Sequence, residues 1–530
     1  MTPSAARSFF IATPIFYVND VPHIGHAYTE VAADVLARWN RQSGADAWLL
    51  TGTDEHGQKI LRTAVANGVE PKAWADNLVQ SAWLPLLKTL NIRNDDFIRT
   101  TDERHIVAVQ KFLTLLHDRG FIYKGDYEGF YCVGCEEYKQ TSDLLEGTAE
   151  FEGQKVCAIH GRPIEVLKET NYFFTLSKFQ EQLLELYRRR PDFIQPESVR
   201  NEIVAFVTRG LDDLSISRST LQWGIEIPWD SDHVTYVWFE ALLNYITATG
   251  WGSNEEEFQL RWPAVQLVGK DIARFHAVIW PAMLMAAGLE PPARVFAHGW
   301  LLVGGEKMSK TKLTGIAPHQ ITDVFGSDAF RYYFLRAITF GSDGSFSWED
   351  LAARYEAELA NGFGNLASRV VAMVGRYFDH VVPEPTGEAT AADQLVADTL
   401  RAQSAAAHEA MERFAINEAI AALWKIVDVL NGYLTEEEPW QLAKDESKRD
   451  RLARVLYTAA DGLRALAVLF SPIMPDASAK LWRALGQENA HGAVDNQSLT
   501  EAGTPSLLAP GTIVAPLEPL FPRVETAEGQ

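Results

Sequence analysis

The sequence contains few cysteines, three in 530 residues. That number is too small for the disulfide framework that stabilises many secreted domains. The cysteines are also unevenly placed, because Cys132, Cys135 and Cys157 all lie in one short part of the chain. This clustering indicates a local role for the thiols rather than a general covalent reinforcement of the fold.

Long apolar runs and an N-terminal targeting segment are both missing. No stretch is apolar over the length needed to span a bilayer, and residues 1–8 lack the apolar segment of a signal peptide. These absences favour a cytoplasmic protein without a membrane partner. The hydrophobic fraction of 47% and the charged fraction of 22% are ordinary for a globular chain of several domains.

Positive charge is scarce. Lys and Arg number 48 against 70 Asp and Glu, which gives a formal net charge of −22. Proteins that bind nucleic acid need cations for their phosphate contacts, so this balance does not by itself indicate such a protein. Any RNA bound by the chain would have to meet a local basic patch, with the carboxylates placed elsewhere.

The cysteines form part of two short pairs of potential metal ligands. Two residues separate Cys132 from Cys135, and two residues separate Cys157 from His160. Three thiolates and one imidazole are the donor set of a closed, tetrahedral structural zinc site. Because such a site has no open position, we assign it to folding rather than to catalysis. The alternative is a set of buried cysteines beside a surface histidine.

The N-terminal part predicts a strand, a loop and a helix between Phe9 and Trp39. The loop ends in His23-Ile24-Gly25-His26, after which apolar residues recur at helical spacing. A helix start offers unpaired main-chain N–H groups and a positive dipole end to phosphate, and two imidazoles on one helical face would add to that site. The alternative is that both histidines are capping or core residues.

Strands and helices alternate from Phe9 to about Leu115 and again from about Val234. Polar residues and glycines follow the strands, as they do at the ligand edge of a parallel sheet. The pattern predicts a doubly wound, Rossmann-like α/β sheet that is interrupted by an insertion. The strands and helices expected in these two parts lie at 47–50, 74–90, 103–119, 236–245, 265–268, 276–280 and 296–303.

A loop with three lysines follows the last of these strands. Lys307, Lys310 and Lys312 come after two adjacent glycines. Lysines grouped on a loop of this kind can clamp an oligophosphate. The alternative is a solvated turn.

From about Tyr355 the composition changes to Ala, Leu, Glu and Arg with helical periodicity, which predicts an all-α bundle. A tail over 486–530 is expected to pack on the bundle and to fray at its end. The helices expected in the bundle are 359–378, 391–411, 417–434, 450–470 and 476–485.

The domains expected are a catalytic α/β domain at 1–120 and 231–350, with the lysine loop and its junction at about 304–350, a zinc-bearing insertion at 121–230, and a helical domain at 351–530.

Two separated motifs resemble the signatures of class I aminoacyl-tRNA synthetases. His23-Ile24-Gly25-His26 matches the first signature, and Lys307-Met308-Ser309-Lys310-Thr311 matches the second with threonine in place of the usual final serine. Within that class the chain is most similar to the methionyl-tRNA synthetases, over nearly its whole length. The segments that carry this likeness are 13–19, 51–57, the Cys/His insertion, 238–245, 269–272, 365–369 and 438–440.

The resemblance implies ATP-dependent ligation of L-methionine to tRNA(Met) through a methionyl-adenylate, with release of pyrophosphate and AMP. Mg²⁺ would arrive with ATP. The implied catalytic residues are His23, His26, Lys307 and Lys310, and the implied ATP site consists of His23, Gly25, His26, Asp271 and Lys310. The residues that match the methionine pocket are Ile15, Tyr17, Asp54, Trp238, Ala241, Leu242, Tyr245, Ile272 and His276.

The resemblance also assigns the remaining parts of the chain. The helical domain would read the anticodon through Asn365, Arg369 and Trp440, and the insertion would hold one structural Zn²⁺. The C-terminal RNA-binding domain that makes some members dimeric is not apparent, which favours a monomer. Two alternatives remain, namely another class I synthetase, for leucine, isoleucine, valine or cysteine, and a non-catalytic tRNA-binding paralogue.

Overall fold

The computed structural model describes residues 7–139, 141–148, 151–159, 161–303, 306–307 and 315–524. Its central feature is a seven-stranded parallel sheet in which the first strand, Ser8–Ala12, lies between Val265–Gly269 and Asp46–Asp54. The strand order reverses at this first strand, which opens a crevice at the carboxyl edge of the sheet. The predicted Rossmann-like fold is therefore confirmed. The order across the sheet is Ile194–Gln195, Arg294–His298, Val265–Gly269, Ser8–Ala12 and Asp46–Asp54, the last of which pairs with both Phe16–Tyr17 and Asp96–Arg99.

Helices cover the sheet, and the first of them shows why the sequence places them there. Its apolar positions Val31, Val35, Leu36 and Trp39, predicted from their spacing, are all buried. They belong to one core that continues from the sheet into the C-terminal helices. The helices of this part are Ile24–Gln42, Gln58–Ala66, Pro71–Leu78, Leu84–Thr89, Glu103–Asp118, Val237–Ala241, Asn244–Ala248, Glu255–Arg261, Trp280–Ala287, Pro318–Phe325, Ser327–Ala337 and Trp348–Arg354.

Several helices that were expected to be continuous are interrupted, two of them as follows. The segment 74–90 contains a π turn, Val79–Trp83, between two α-helices. The segment 236–245 ends its first helix at Ala241 and begins a second at Asn244.

The segment 296–303, expected as one strand, is divided between two sheets. Arg294–His298 belongs to the central sheet, whereas Leu301–Val303 pairs with Glu306–Lys307 and with Gly344–Phe346. The chain changes direction at Gly299, where a side chain would lie 2.2 Å from the carbonyl oxygen of Ser342. Only glycine allows this close approach of two backbones.

The insertion is built mainly from antiparallel strands, as its break with the α/β pattern predicts. Ile122–Cys132 and Glu165–Phe174 form a long hairpin-like pair in its main sheet. The exact limits of 121–230 and of the other domains stay predictions. The remaining strands and helices here are Glu137–Lys139, Leu144–Glu146, Lys155–Cys157, Gln180–Arg189, Glu197–Thr208, Leu214–Ser215, Ser217–Arg218, Glu226–Ile227 and Asp230–Thr235.

The C-terminal part is the predicted helical bundle. Its tail packs on it as expected, with Leu508, Val514 and Phe521 buried, although the end at 525–530 lies outside the described residues. Within the described residues, no helix is both long enough and apolar enough to cross a membrane. The main bundle elements are the π-helical Tyr355–Gly364 and the α-helices Asn365–Tyr377, Ala391–Glu412, Ile416–Glu437, Arg449–Phe470 and Pro475–Ala484.

A buried arginine fastens the bundle to the α/β part. Arg331 is fully buried, and its guanidinium donates to Asp34 Oδ2 at 2.6 Å on the first helix. It also donates to the carbonyl oxygens of Leu90, Pro472 and Ile473, at 2.7–3.0 Å. Because charge and hydrogen bonds are both satisfied, this buried cation is compatible with a stable interface.

Candidate active site

The two predicted histidines cap the start of the first helix. His23 is the N-cap, and its Nδ1 accepts a hydrogen bond from Gly25 N at 3.0 Å. His26 Nδ1 accepts from His23 N at 3.1 Å, and the two rings stack with centroids 3.9 Å apart. Because both Nδ1 atoms act as acceptors, each neutral ring carries its proton on Nε2. Capping therefore uses Nδ1 of each ring and places the N–H donor of each neutral imidazole at Nε2.

The main chain at this helix start is not open to a ligand, so this part of the expectation is wrong. Ile24 N donates to Ile316 O at 3.0 Å, Gly25 N to the His23 ring, and His26 N to His23 O at 3.0 Å. An anion bound here would meet imidazole N–H groups and the helix dipole rather than unpaired backbone donors.

The lysine loop is described only at its two ends. The backbone of Lys307 pairs with Leu302 in a short strand, while Lys310 lies outside the described residues. The chain resumes at residue 315, and Ile316 is bonded to the first residue of the histidine-bearing helix. The segment that follows the loop and the start of the histidine-bearing helix are therefore adjacent.

Asp271 lies at the same edge of the sheet. It belongs to a 3₁₀ turn, Lys270–Ile272, that directly follows the strand Val265–Gly269. Its neighbour Lys270 pairs with Asp343 at 2.7 Å, and Asp343 also accepts from Trp300 N at 2.8 Å. These contacts fix the turn beside the first strand, whose following loop leads to the histidines.

Seven of the nine residues predicted for the methionine pocket line one cleft. The other two, Tyr17 and Ile272, contact its walls: the Tyr17 ring meets the Trp238 ring edge-on at 5.9 Å, and Ile272 O accepts from His276 Nδ1 at 3.0 Å. Trp238 stacks on Phe275 at 4.2 Å. The seven lining residues are Ile15, Asp54, Trp238, Ala241, Leu242, Tyr245 and His276.

One end of the cleft is a neutral hydrogen-bonded pair. Tyr245 Oη lies 2.8 Å from His276 Nε2. Because His276 Nδ1–H donates to Ile272 O, its Nε2 accepts from the tyrosine hydroxyl. Burial lowers the pKa of His276 to about 4, so this ring is uncharged at neutral pH.

The cleft is also lined by a buried carboxyl group. Asp54 is 2% exposed and lies opposite Tyr17 in the sheet register. Burial raises its pKa well above the usual value, and the nearby charge of Glu240 raises it further. Glu240 is itself buried and pairs with His56 Nδ1 at 2.8 Å.

Pro14 and Asn244 also line the cleft and were missed by the sequence analysis. Asn244 was passed over because the residues chosen shared one stripe of a continuous helix. The helix instead breaks after Ala241 and restarts at Asn244, which brings Asn244 into the cleft beside Tyr245. The apolar Leu242-Leu243 gave no local signal of that break.

The three cysteines meet as predicted. Their Sγ atoms lie within 4.8 Å of one another, and Cys135 Sγ is 3.7 Å from Cys157 Sγ. That separation is too long for a disulfide bond and close to the ~3.8 Å expected between thiolates of a tetrahedral site with Zn–S bonds near 2.3 Å. The donor set therefore fits a metal ion. His160, the fourth predicted ligand, lies outside the described residues.

The three residues predicted to read the anticodon lie in the bundle, away from the cleft. Asn365 and Arg369 occupy successive turns of the helix Asn365–Tyr377, with Asn365 exposed. Arg369 is half-buried, and its Nε and Nη2 have no hydrogen-bond partner among the described residues. Trp440, in the short helix Pro439–Leu442, packs partly against the bundle core.

Comparison with known proteins places these features in one family. The family described as tRNA synthetases class I (M) matches residues 9–149 and 149–371, and the anticodon binding domain of methionyl tRNA ligase matches 382–530. The methionine–tRNA ligase of Streptomyces coelicolor is 57% identical over 98% of this chain and 97% of that protein. The corresponding enzyme of Caldanaerobacter subterraneus is 47% identical over 98% of this chain and 79% of that protein.

A solved structure has the same fold. Methionyl-tRNA synthetase of Mycobacterium tuberculosis in complex with methionyl-adenylate superposes with a TM-score of 0.93 and 39% identity, over 98% of this chain and 100% of that one. Family profiles, full-length relatives and fold agree, and the chain belongs to the methionyl-tRNA synthetases of class I.

Proposed function

We propose that this chain joins L-methionine to tRNA(Met) in two steps. A methionine carboxylate oxygen attacks the α-phosphorus of ATP, the bond to the β-phosphate breaks, and pyrophosphate leaves. A hydroxyl of the terminal adenosine of the tRNA, the 2′ hydroxyl in class I, then attacks the adenylate carbonyl and releases AMP. The observation that carries the proposal is one cleft with aromatic walls and a buried carboxyl group, at the sheet edge that also holds the histidine pair.

The cleft has the chemistry of a methionine site. Trp238 and Tyr245 offer ring faces and edges, which suit a polarisable thioether. Tyr245 and His276 already satisfy each other, so this end makes no strong demand for a polar side chain. Asp54, which also lines the cleft, would hold the α-ammonium group. Ile15, Tyr17, Ala241, Leu242 and Ile272 complete the site.

ATP would bind across the start of the first helix. His23 and His26 would donate from Nε2 to phosphate oxygens as negative charge builds up, and Gly25 leaves the approach unobstructed. Asp271 would bind the adenosine ribose, and Lys307 and Lys310 would close over the leaving pyrophosphate. Such a reaction is catalysed mainly by positioning and charge stabilisation. Mg²⁺ would enter bound to the ATP phosphates rather than in a protein cage.

The cysteine cluster would hold one structural zinc ion through Cys132, Cys135, Cys157 and His160. Thiolate ligands favour zinc over Mg²⁺ or Ca²⁺, and a closed four-ligand site stabilises the insertion without reacting with substrate.

The bundle would bind the anticodon of tRNA(Met). Arg369 supports this proposal by its place, because it is half-buried on the helix Asn365–Tyr377 and carries a planar guanidinium of the kind that pairs with the acceptor atoms of a base edge. Asn365, one turn away, offers an amide to a second base, and Trp440 offers a stacking surface. We also propose that the protein acts as a cytoplasmic monomer.

ATP–pyrophosphate exchange with a panel of amino acids tests the proposal. Exchange with methionine alone is expected. Exchange with leucine, isoleucine, valine or cysteine instead would indicate a sister synthetase. No exchange with any of them, combined with tRNA binding, would indicate a non-catalytic paralogue.

A further inference from the structure

The side chain of Asn244 is held in one orientation at the cleft. Asn244 is 1% exposed, and its Nδ2 donates to Ala241 O at 2.6 Å. A flipped amide would place two acceptor oxygens against each other, so the contact fixes which atom is nitrogen. The Oδ1 atom is then buried and, among the described residues, receives no hydrogen bond.

A second residue that lines the cleft also has a buried oxygen without a hydrogen bond among the described residues. Asp54 Oδ1 also receives no hydrogen bond within the described part of the chain, although the carboxyl group accepts one from the main-chain N–H of His56. Asp54 and Asn244 both line the cleft. Buried acceptors are almost always paired in folded proteins, so two of them in one cleft indicate a ligand that supplies donors.

The complementary ligand group is a cation with several N–H donors and no acceptor. A primary ammonium group has three donors, which is more than one carboxylate oxygen and one amide oxygen require. The carboxyl group of Asp54 supplies charge, and the neutral amide of Asn244 orients the ammonium group through a hydrogen bond. The amide adds no further negative charge near Glu240, which is buried and close enough to raise the pKa of Asp54.

We infer that Asn244 is a substrate-positioning residue, whose Oδ1 accepts a hydrogen bond from the α-ammonium group of methionine in the cleft that Asp54 also lines. The inference rests on the proposed function, because it takes methionine as the occupant of the cleft. It assigns to Asn244 the selection of an α-amino acid over the corresponding carboxylic acid.

The test compares ligands that differ in the ammonium group. Methionine, L-methioninol, which keeps the ammonium group, and 4-(methylthio)butanoate, which lacks it, are measured as substrate or competitive inhibitors of ATP–pyrophosphate exchange. In Asn244→Leu, which keeps the approximate volume but removes the acceptor, binding of methionine and methioninol is expected to weaken about tenfold to a hundredfold. Binding of 4-(methylthio)butanoate is expected to stay within about twofold.

Asn244→Asp serves as the conservative variant. It keeps an acceptor oxygen but loses the donor to Ala241 O, so it is expected to bind methioninol more tightly than Asn244→Leu even though its melting temperature falls. Equal weakening of all three ligands in Asn244→Leu would show a merely structural role and overturn the inference, as would unchanged binding of methioninol. ATP–pyrophosphate exchange by the wild-type protein with methionine distinguishes failure of the proposed function from failure of the Asn244 inference. If the wild-type protein shows no such exchange, the proposed function itself fails.

Discussion

The indole N–H of Trp238 donates a hydrogen bond of 3.2 Å to the carbonyl oxygen of Cys135. One bond therefore joins the wall of the substrate cleft to the cysteine cluster. The next residue, Glu136, makes a second link, since its main-chain carbonyl accepts from Tyr236 Oη at 2.7 Å. Glu136 adopts a left-handed backbone with φ of 53°, a conformation that depends on the surrounding structure. Loss of metal is expected to disturb the cleft as well as the insertion.

Cys132→Ser tests this connection. The variant is expected to lose the metal ion, because serine is a poor ligand for zinc, and the segment through Cys135 then loses its anchor. The KM for methionine should rise severalfold more than the KM for ATP. Metal analysis and exchange kinetics measure both effects. Full metal content in the variant would contradict the ligand set, and equal changes in the two KM values would contradict the link through Trp238.

His23→Asn separates the capping role of the histidine from its catalytic role. Asparagine is among the best N-cap residues, so the helix start should keep its stability. The variant loses the Nε2–H donor, and loss of one such donor to a developing charge lowers rates by about 10²–10³-fold. We expect a melting temperature within a few degrees of wild type and exchange reduced by about that factor. His491→Asn, at an exposed site in the tail, is the matched control and should keep full exchange. Wild-type exchange in His23→Asn would remove the histidine from the mechanism.

Local patterns predicted most of the fold, and contacts between distant residues account for what they missed. Val31, Val35 and Trp39 are buried as their spacing indicated, because amphipathic periodicity is a local property. The break at Gly299 depends instead on its approach to Ser342, which is distant in sequence. The anchoring of the bundle by Arg331 depends on Asp34, which is 297 residues away in the sequence. Neither contact leaves a pattern in a short window of sequence.

The same distinction applies to the cleft. The family resemblance predicted pocket residues by matching single positions, and seven of these residues line the cleft. It did not supply Asn244, whose role depends on the helix restart after Leu243. At the proposed phosphate site, the sequence did not predict that the main-chain donors are already used. The N–H of Ile24 is paired with Ile316, a residue beyond the lysine loop.

Asp54 makes methionine binding depend on pH. Burial and the charge of Glu240 raise the pKa of this carboxyl group in the free protein. The substrate ammonium favours the ionised carboxylate, so binding releases a proton whenever Asp54 is protonated beforehand. The KM for methionine should therefore be high at acid pH, fall as pH rises through the raised pKa, and level off above it. Exchange kinetics over the range in which the substrate amine stays protonated measure this profile.

Glu240→Gln is the variant that checks the cause of this dependence. It keeps a hydrogen-bonding partner for His56 and removes the neighbouring negative charge. The pKa of Asp54 should decrease, and the fall in KM should move to lower pH. A profile that stays in place, or moves to higher pH, would show that Glu240 does not act on Asp54.

Arg369→Met is expected to affect tRNA without affecting amino-acid activation. Two guanidinium nitrogens of Arg369 lack partners among the described residues, so the substitution breaks no internal hydrogen bond at these atoms. Loss of a base contact should lower kcat/KM for tRNA charging by about tenfold to a hundredfold, while exchange stays at the wild-type rate. Arg401→Met, an exposed arginine on another bundle helix, is the matched control. Equal charging by the two variants would exclude Arg369 from the anticodon site.

Glu30 connects the histidine-bearing helix to the sheet and should make its stability depend on pH. Its Oε1 accepts from Thr51 Oγ1 at 2.5 Å, whereas its Oε2 receives no hydrogen bond within the described chain. Burial, helped by the charge of Asp34, raises the pKa of Glu30 from 4.5 to about 8. The folded protein therefore holds a proton that the unfolded chain releases, and this contribution to stability is lost as pH rises from about 4.5 through about 8.

Glu30→Gln keeps a neutral, similarly shaped side chain that does not titrate, so its free energy of unfolding relative to wild type should increase by a few kcal/mol between about pH 5 and pH 8. Urea unfolding of both proteins at the two pH values measures this difference, and Glu488→Gln at the surface should show none. A difference that does not change with pH would mean that Glu30 is ionised in the folded protein.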